Sequence, residues 1–278
     1  MKSTITFIPI GGLANRFFAI TSAIAFCQDH NVKLQVIWFK DWGMGASFNS
    51  IMELSQHLEN VEIIDARWKD CIFDRPRKRN LWLPFLFQRL YFGERIYEKD
   101  VYEGKFSIDK LKESVLKHDS VYLVGYQNFY PNRGGCQVLK PNSSVLQKLE
   151  ERKRILNING NMIGIHIRRT DNINSIKNSP LSLFISKMKE EICQDSSIRF
   201  YVASDDLAEK KKLKNIFGER VVSTFDVVRR DNQQGINDAM LDLYILASMK
   251  KIYGSHYSSY SQLAAQLFNI DLKILSCK

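Results

Sequence analysis

The chain has 278 residues, of which 45% are hydrophobic, and carries a net charge of +10 from 40 basic and 30 acidic side chains. This is the balance of a folded soluble protein, long enough for two domains of ordinary size or one large α/β domain. The positive excess implies an anionic partner, whether nucleotide, phospholipid surface or nucleic acid, without choosing among them. The 5 cysteines are odd in number and scattered, with no C-x-x-C pair. That pattern argues against a disulfide framework or zinc cluster and fits a reducing, cytoplasmic compartment.

Residues 5–10 form a short apolar run that ends at Gly11-Gly12, and residues 15–28 repeat apolar side chains at helical spacing. Strand, glycine turn and helix are the opening of an α/β domain rather than of a signal peptide. Further strands are predicted over 33–39, 61–64 and 121–126. Between them lies an aromatic segment, 81–92, beside Arg75, Arg77, Lys78 and Arg79. A helix over 143–156 leads to the polar stretch Asn157-Ile158-Asn159-Gly160-Asn161, which reads as a domain boundary. The rhythm then restarts, with strands over 162–167, 199–203, 221–222, 251–253 and 272–275. Helices are predicted over 181–193, 206–217, 237–249 and 260–268. Alternating strands and helices imply parallel sheets covered on both faces. Two such series suggest an α/β protein of two Rossmann-like domains facing a cleft, 1–157 and 158–278. Ligands of such sheets sit beyond the carboxyl ends of the strands, so chemistry is sought in the loops that follow them.

The strand over 162–167 ends in Arg168-Arg169-Thr170-Asp171. Guanidinium groups present paired donors that match phosphate oxygens, and an adjacent carboxylate can orient one of them. A surface Arg–Asp pair of little energetic consequence is the plainer reading. Gly254-Ser255-His256-Tyr257-Ser258-Ser259 follows another strand and opens a helix, where free N–H groups and serine hydroxyls form an anion site. One serine could equally be a helix cap. Asp205 follows the strand over 199–203 and is suited to a ribose hydroxyl or base edge, while Asp206 is suited to capping the next helix. Asp238 and Asp242 share a helix face, with Asp238 expected in the first turn, where the helix dipole favours an acid. Gly11-Gly12-Leu13-Ala14-Asn15 is not a dinucleotide fingerprint, but Gly12 permits close approach of a ligand. Asn15 reads equally as a sugar or diphosphate contact and as a helix cap. No histidine spacing, Walker sequence or D-x-D recommends a metal, so no metal and no cofactor is expected.

Gly-Gly-Leu-x-Asn near the N-terminus, His166-x-Arg168-Arg169-x-Asp171 and the late Gly-Ser-x-x-Ser-Ser resemble the α-1,2/α-1,6/protein O-fucosyltransferase superfamily. The segment 122–128 is similar to the corresponding stretch of bacterial α-1,2-fucosyltransferases. The resemblance implies a GT-B fold and inverting transfer of fucose from GDP-fucose to a glycan hydroxyl without a metal. It assigns Arg169 to the β-phosphate, assisted by Ser258 and Ser259, and His166 and Asp205 to the nucleotide. Asp238 falls near the ribose or base and Asn15 beside the transferred sugar, while Gly12, Arg168 and Asp171 are counted among the donor-binding residues. Ala14 and Thr170 stand where the pattern has glycine, and no acid after Asp171 is suited to be the acceptor's general base. Asp171 and Glu53 fit that role only loosely.

A non-catalytic nucleotide- or glycan-binding protein on the same fold is the alternative. Nucleic-acid binding is disfavoured because the basic residues are spread along the chain. The segment 75–92 has two readings, a buried helix or acceptor lid and a contact with an anionic membrane that would suit a lipid-linked acceptor.

Overall fold

A computed structural model describes residues 3–132, 135–169, 173–226 and 229–277. The chain divides into two compact units, Met1–Lys140 and Pro141–Lys278.

The first unit runs β1 (Thr4–Pro9), α1 (Leu13–Asp29), β2 (Lys33–Trp38), β3 (Met52–Leu54) and β4 (Val61–Asp65). It continues with α2 (Leu83–Tyr91), β5 (Glu94–Ile96), α3 (Glu98–Tyr102), α4 (Ile108–Lys117) and β6 (Ser120–Gly125), and β7 (Leu139–Pro141) lies at the junction. Five strands form one sheet in the order β4-β2-β1-β6-β5, and β3 pairs with β7. The pairings in the large sheet are parallel. β1 lies at the centre because its apolar run is covered on both faces, whereas a half-exposed strand would alternate. Helix α1 is buried nearly all round: between Leu13 and Cys27 the single residue not buried is Asn15.

In the second unit the order is α5 (Ser143–Ile155), β8 (Ile163–Ile167), α6 (Ile173–Asn178), α7 (Leu181–Gln194), β9 (Phe200–Ser204) and α8 (Leu207–Phe217). There follow β10 (Val221–Val222), α9 (Gln233–Leu246), β11 (Lys251–Ser255), α10 (Ser259–Phe268) and β12 (Asp271–Leu275). The sheet order is β10-β9-β8-β11-β12, again with parallel pairings. Taken in chain order this is third-second-first-fourth-fifth, the Rossmann arrangement, and the order reverses between β8 and β11. Side chains alternate along β8. Ile163, Ile165 and Ile167 enter a core with Phe184, Met188 and Leu213. On the opposite face a Cβ on Gly164 would stand 2.9 Å from Leu246 Cδ2, so α9 packs closely there.

Three expectations from the sequence change. The division falls at Lys140/Pro141 and not after residue 157, because α5 packs on α9 and belongs to the second unit. Helix α9 begins at Gln233, capped by Asn232, whose Oδ1 accepts the Gly235 N–H at 2.9 Å. Asp238 therefore lies in the second turn, where the dipole argument for it does not hold. The residues of 81–91 are not a buried helix: α2 buries only Pro84 and Gln88. Among the described residues no helix is long and apolar enough to cross a membrane.

Candidate active site

The reversal of strand order between β8 and β11 opens a crevice at their carboxyl ends. The backbones meet there directly. His166 pairs with Gly254 on one side and Ala203 on the other. Ser255 ties the two loops, its Oγ accepting the Arg168 N–H at 3.0 Å and donating to the His166 carbonyl at 3.3 Å. Gly254 permits the approach of α10, since a Cβ there would meet Ser261 Oγ at 2.6 Å. The N-terminus of α10 thus abuts the end of β8. Ser258 is the residue before the helix, but its hydroxyl makes no cap. It lies instead 3.3 Å from His166 Nδ1.

His166 is buried, and its ring stacks on Tyr260 with centroids 4.8 Å apart. Burial pushes its pKa down to about 3, with Asp205 opposing the shift and Arg168 and Arg230 reinforcing it. The imidazole is accordingly neutral near pH 7 and acts as a hydrogen-bonding plate rather than a cation.

The two arginines diverge. Side chains alternate across the extended chain, so Arg168 follows His166 and Arg169 follows Ile167 toward α8. The Arg169 side chain is 8% exposed and pairs through Nε with Glu209 Oε1 at 3.3 Å. Among the described residues its Nη2, like Glu209 Oε2, is buried without a hydrogen-bond partner. The Arg168 side chain is 24% exposed and meets Asp205 Oδ2 at 3.4 Å. The structure thus turns Arg169, expected at the phosphate, into the body of the unit and leaves Arg168 nearer the surface.

Asp205 is committed to protein. Its Oδ1 accepts the Arg169 N–H at 2.7 Å, and its Oδ2 pairs with Arg230 at 3.1 Å. It is a clamp on the arginine loop, where a nucleotide contact was expected. Asp206 caps α8 as anticipated, accepting the Ala208 N–H at 2.7 Å. Asp238 is not part of this network: it pairs with Arg152 at 2.5 Å and accepts from Gln234, tying α9 to α5. Asp242 shares its face and reaches the same Arg152 at 3.7 Å. Asp171 lies outside the described residues. Ser259 is the first residue of α10.

In the first unit Gly12 precedes α1 and a Cβ there would touch nothing. Asn15 lies within the first turn of α1, so the cap reading for it is set aside. The residue that sequence reasoning missed here is Arg16. It is fully buried, donating to the carbonyls of Gly11 at 2.9 Å and Phe39 at 2.6 Å and pairing with Asp41 at 2.9 Å. Desolvation pushes its pKa down to about 10, partly offset by Asp41. Arg16 fixes the glycine turn to the end of β2. Glu53 pairs with Lys140 at 3.1 Å between β3 and β7, a structural contact. Arg230, Glu209 and Tyr260 were also missed, because no local spacing links them to the arginine loop. Among the described residues no group of acids, histidines or cysteines is arranged to hold a metal.

The fold and this crevice define a two-unit α/β protein of Rossmann type with a GT-B-like fold. Solved structures share it. The α-1,6-fucosyltransferase NodZ soaked with GDP-fucose aligns with a TM-score of 0.63 and 14% identity over 96% of this chain and 93% of that one. The fucosyltransferase NodZ from Bradyrhizobium, in its selenomethionine form, aligns at 0.61 and 13% identity, covering 95% of this chain and 91% of that one. A FUT1 variant from Arabidopsis thaliana in complex with GDP aligns at 0.64 and 12% identity, over 99% of this chain and 70% of that one. POFUT1 in complex with GDP-fucose aligns at 0.61 and 12% identity, over 100% and 98%. No protein-family model and no curated relative matches the sequence.

Proposed function

We propose that the protein is an inverting glycosyltransferase that moves fucose from GDP-fucose to a glycan hydroxyl. The observation that carries the reading is the crevice between β8 and β11, where Arg168 and the N-terminus of α10 converge on a fold shared with fucosyltransferases. The donor diphosphate lies against both. The acceptor hydroxyl oxygen attacks the anomeric carbon and releases its proton to solvent, the bond to the β-phosphate oxygen breaks, and GDP leaves. Fixed donors then stabilise the negative charge that develops on the phosphate. Arg168 is assigned this role, and Arg169 supports the loop from behind through Glu209. Ser259, opening α10, adds to the anion site, and neutral His166 with Ser258 orients the nucleotide side. Asn15 is assigned to the transferred sugar, and Gly12 and Asp171 to the donor, on the motif alone. Transfer in an α-1,2 linkage is the narrower form of the proposal and rests on the resemblance of residues 122–128. The acceptor class favoured by the exposed apolar helix α2 is a lipid-anchored glycan.

The test is donor turnover and nucleotide binding in Arg168→Ala and Arg169→Ala. Arg168→Ala is expected to lose at least roughly 10²-fold in kcat/KM while keeping its melting temperature. Arg169→Ala is expected to lose stability as well. Near-normal transfer in Arg168→Ala would remove the phosphate assignment. Absence of both GDP-induced stabilisation and sugar transfer in the wild type would remove the proposal as a whole.

A further inference from the structure

Helix α2 is attached to its unit in an unusual way. Its buried residues, Pro84 and Gln88, are four apart and form one narrow stripe. The anchor is polar: Gln88 Nε2 donates to the carbonyls of Ile72 at 3.1 Å and Asp74 at 2.9 Å. Apart from Arg89, apolar side chains occupy the rest of the helix surface. Leu81, Trp82, Leu83, Leu86, Phe87 and Leu90 are all exposed, Leu81 at 76% and Leu90 at 83%. Leu81 and Trp82 also hold φ of 53° and 58°, left-handed conformations that residues with side chains adopt at a cost. The 3₁₀ turn on which α2 packs, Trp68–Phe73, begins with Trp68, itself 88% exposed. A contiguous apolar surface of this kind marks an interaction site.

The charges around it select the partner. Lys69, Lys78, Arg79 and Arg89 are exposed on α2 and the segments leading into it. The nearby acids are already engaged, Asp70 with the Arg67 N–H at 2.9 Å and Asp74 with Arg77 at 2.5 Å. The surface is therefore apolar and cationic together. Two copies packed on this face about a two-fold axis would bring the Lys78, Arg79 and Arg89 cations of both copies into one interface, a like-charge arrangement. An anionic lipid surface accepts both features, with apolar side chains among the acyl chains and cations at the headgroups. A helix of 9 residues is too short to span a bilayer and suited to lie in its interface.

We infer that α2, with Leu81, Trp82 and the flanking cations, is a docking surface for an anionic lipid bilayer. This stands apart from the assignment of the reaction and needs no donor. The experiment is flotation of the full chain with vesicles of phosphatidylcholine alone and with about 30% phosphatidylglycerol. The protein is expected to float with the anionic vesicles and to be released as salt is raised. L86E/L90E and K78E/R79E are each expected to lower partitioning about tenfold or more, with unchanged circular dichroism and melting temperature. Failure of the wild type to float with anionic vesicles would overturn the inference, as would flotation undiminished in L86E/L90E. A dimer in sedimentation that L86E/L90E dissociates, without vesicle binding, would overturn it in favour of a second copy.

Discussion

Arg168 and Arg169 are chemically identical neighbours, and the pleat of one extended segment sends them to opposite surroundings. Arg169 is packed against Glu209 of α8, and Arg168 is shared between Asp205 and the crevice. Glu209 supplies the counter-charge that makes burial of Arg169 tolerable. Glu209→Gln keeps the shape and one hydrogen-bond acceptor but removes that charge. It is expected to cost roughly 1–3 kcal/mol of stability, measured by chemical denaturation, with a smaller fall in kcat/KM than in Arg168→Ala. A variant as stable as wild type would show that Arg169 does not depend on this pair. The two roles were readable in principle from the strand's phase, because Ile163, Ile165 and Ile167 mark the core face and Arg169 continues it. Glu209, forty residues away, was not readable, since only the fold brings α8 beneath the loop.

At the scale of elements, the sequence located the long strands and helices well, because apolar periodicity is strong where an element is buried on one or both faces. Helix α4 was missed for the converse reason: of its 10 residues only Leu111 and Ser114 are buried, leaving little pattern. The start of α9 was misplaced because Gly235 lies in its first turn. A Cβ there would fall 1.6 Å from the Arg229 carbonyl oxygen, so tertiary contact dictates the glycine. Gly254 is the corresponding demand in β11. Gly254→Ala would place a methyl group 2.6 Å from Ser261 Oγ and 2.9 Å from its Cβ. The expected result is a loss of about 1–3 kcal/mol, read from the denaturation midpoint, and weaker GDP binding as the N-terminus of α10 shifts from His166. Unchanged affinity for GDP would separate α10 from the nucleotide site.

For the whole molecule, two units each built on its own parallel sheet mean that donor binding and surface docking need not share residues. The proposed phosphate site lies on β8, β9, β11 and α10 in the second unit, and the exposed helix α2 lies in the first. GDP is accordingly expected to slow amide hydrogen exchange over 167–169, 204–209 and 255–262 and to leave 81–91 unchanged. Protection confined to the first unit would place the nucleotide elsewhere.

The sequence by itself determined the α/β class, the recurrence of two strand–helix series and the loops that end β8, β9 and β11. These follow from local periodicity and from where glycine, serine and arginine punctuate it. Tertiary structure decided the partners. Asp205 became a clamp, Asp238 an interhelical ion pair with Arg152, Arg16 a buried lock on the glycine turn, and α2 an exposed apolar helix. It also turned the adjacent arginines with which the site begins in different directions. Spacing along a chain records which face a residue occupies, whereas the identity of what lies opposite that face depends on contacts between distant segments.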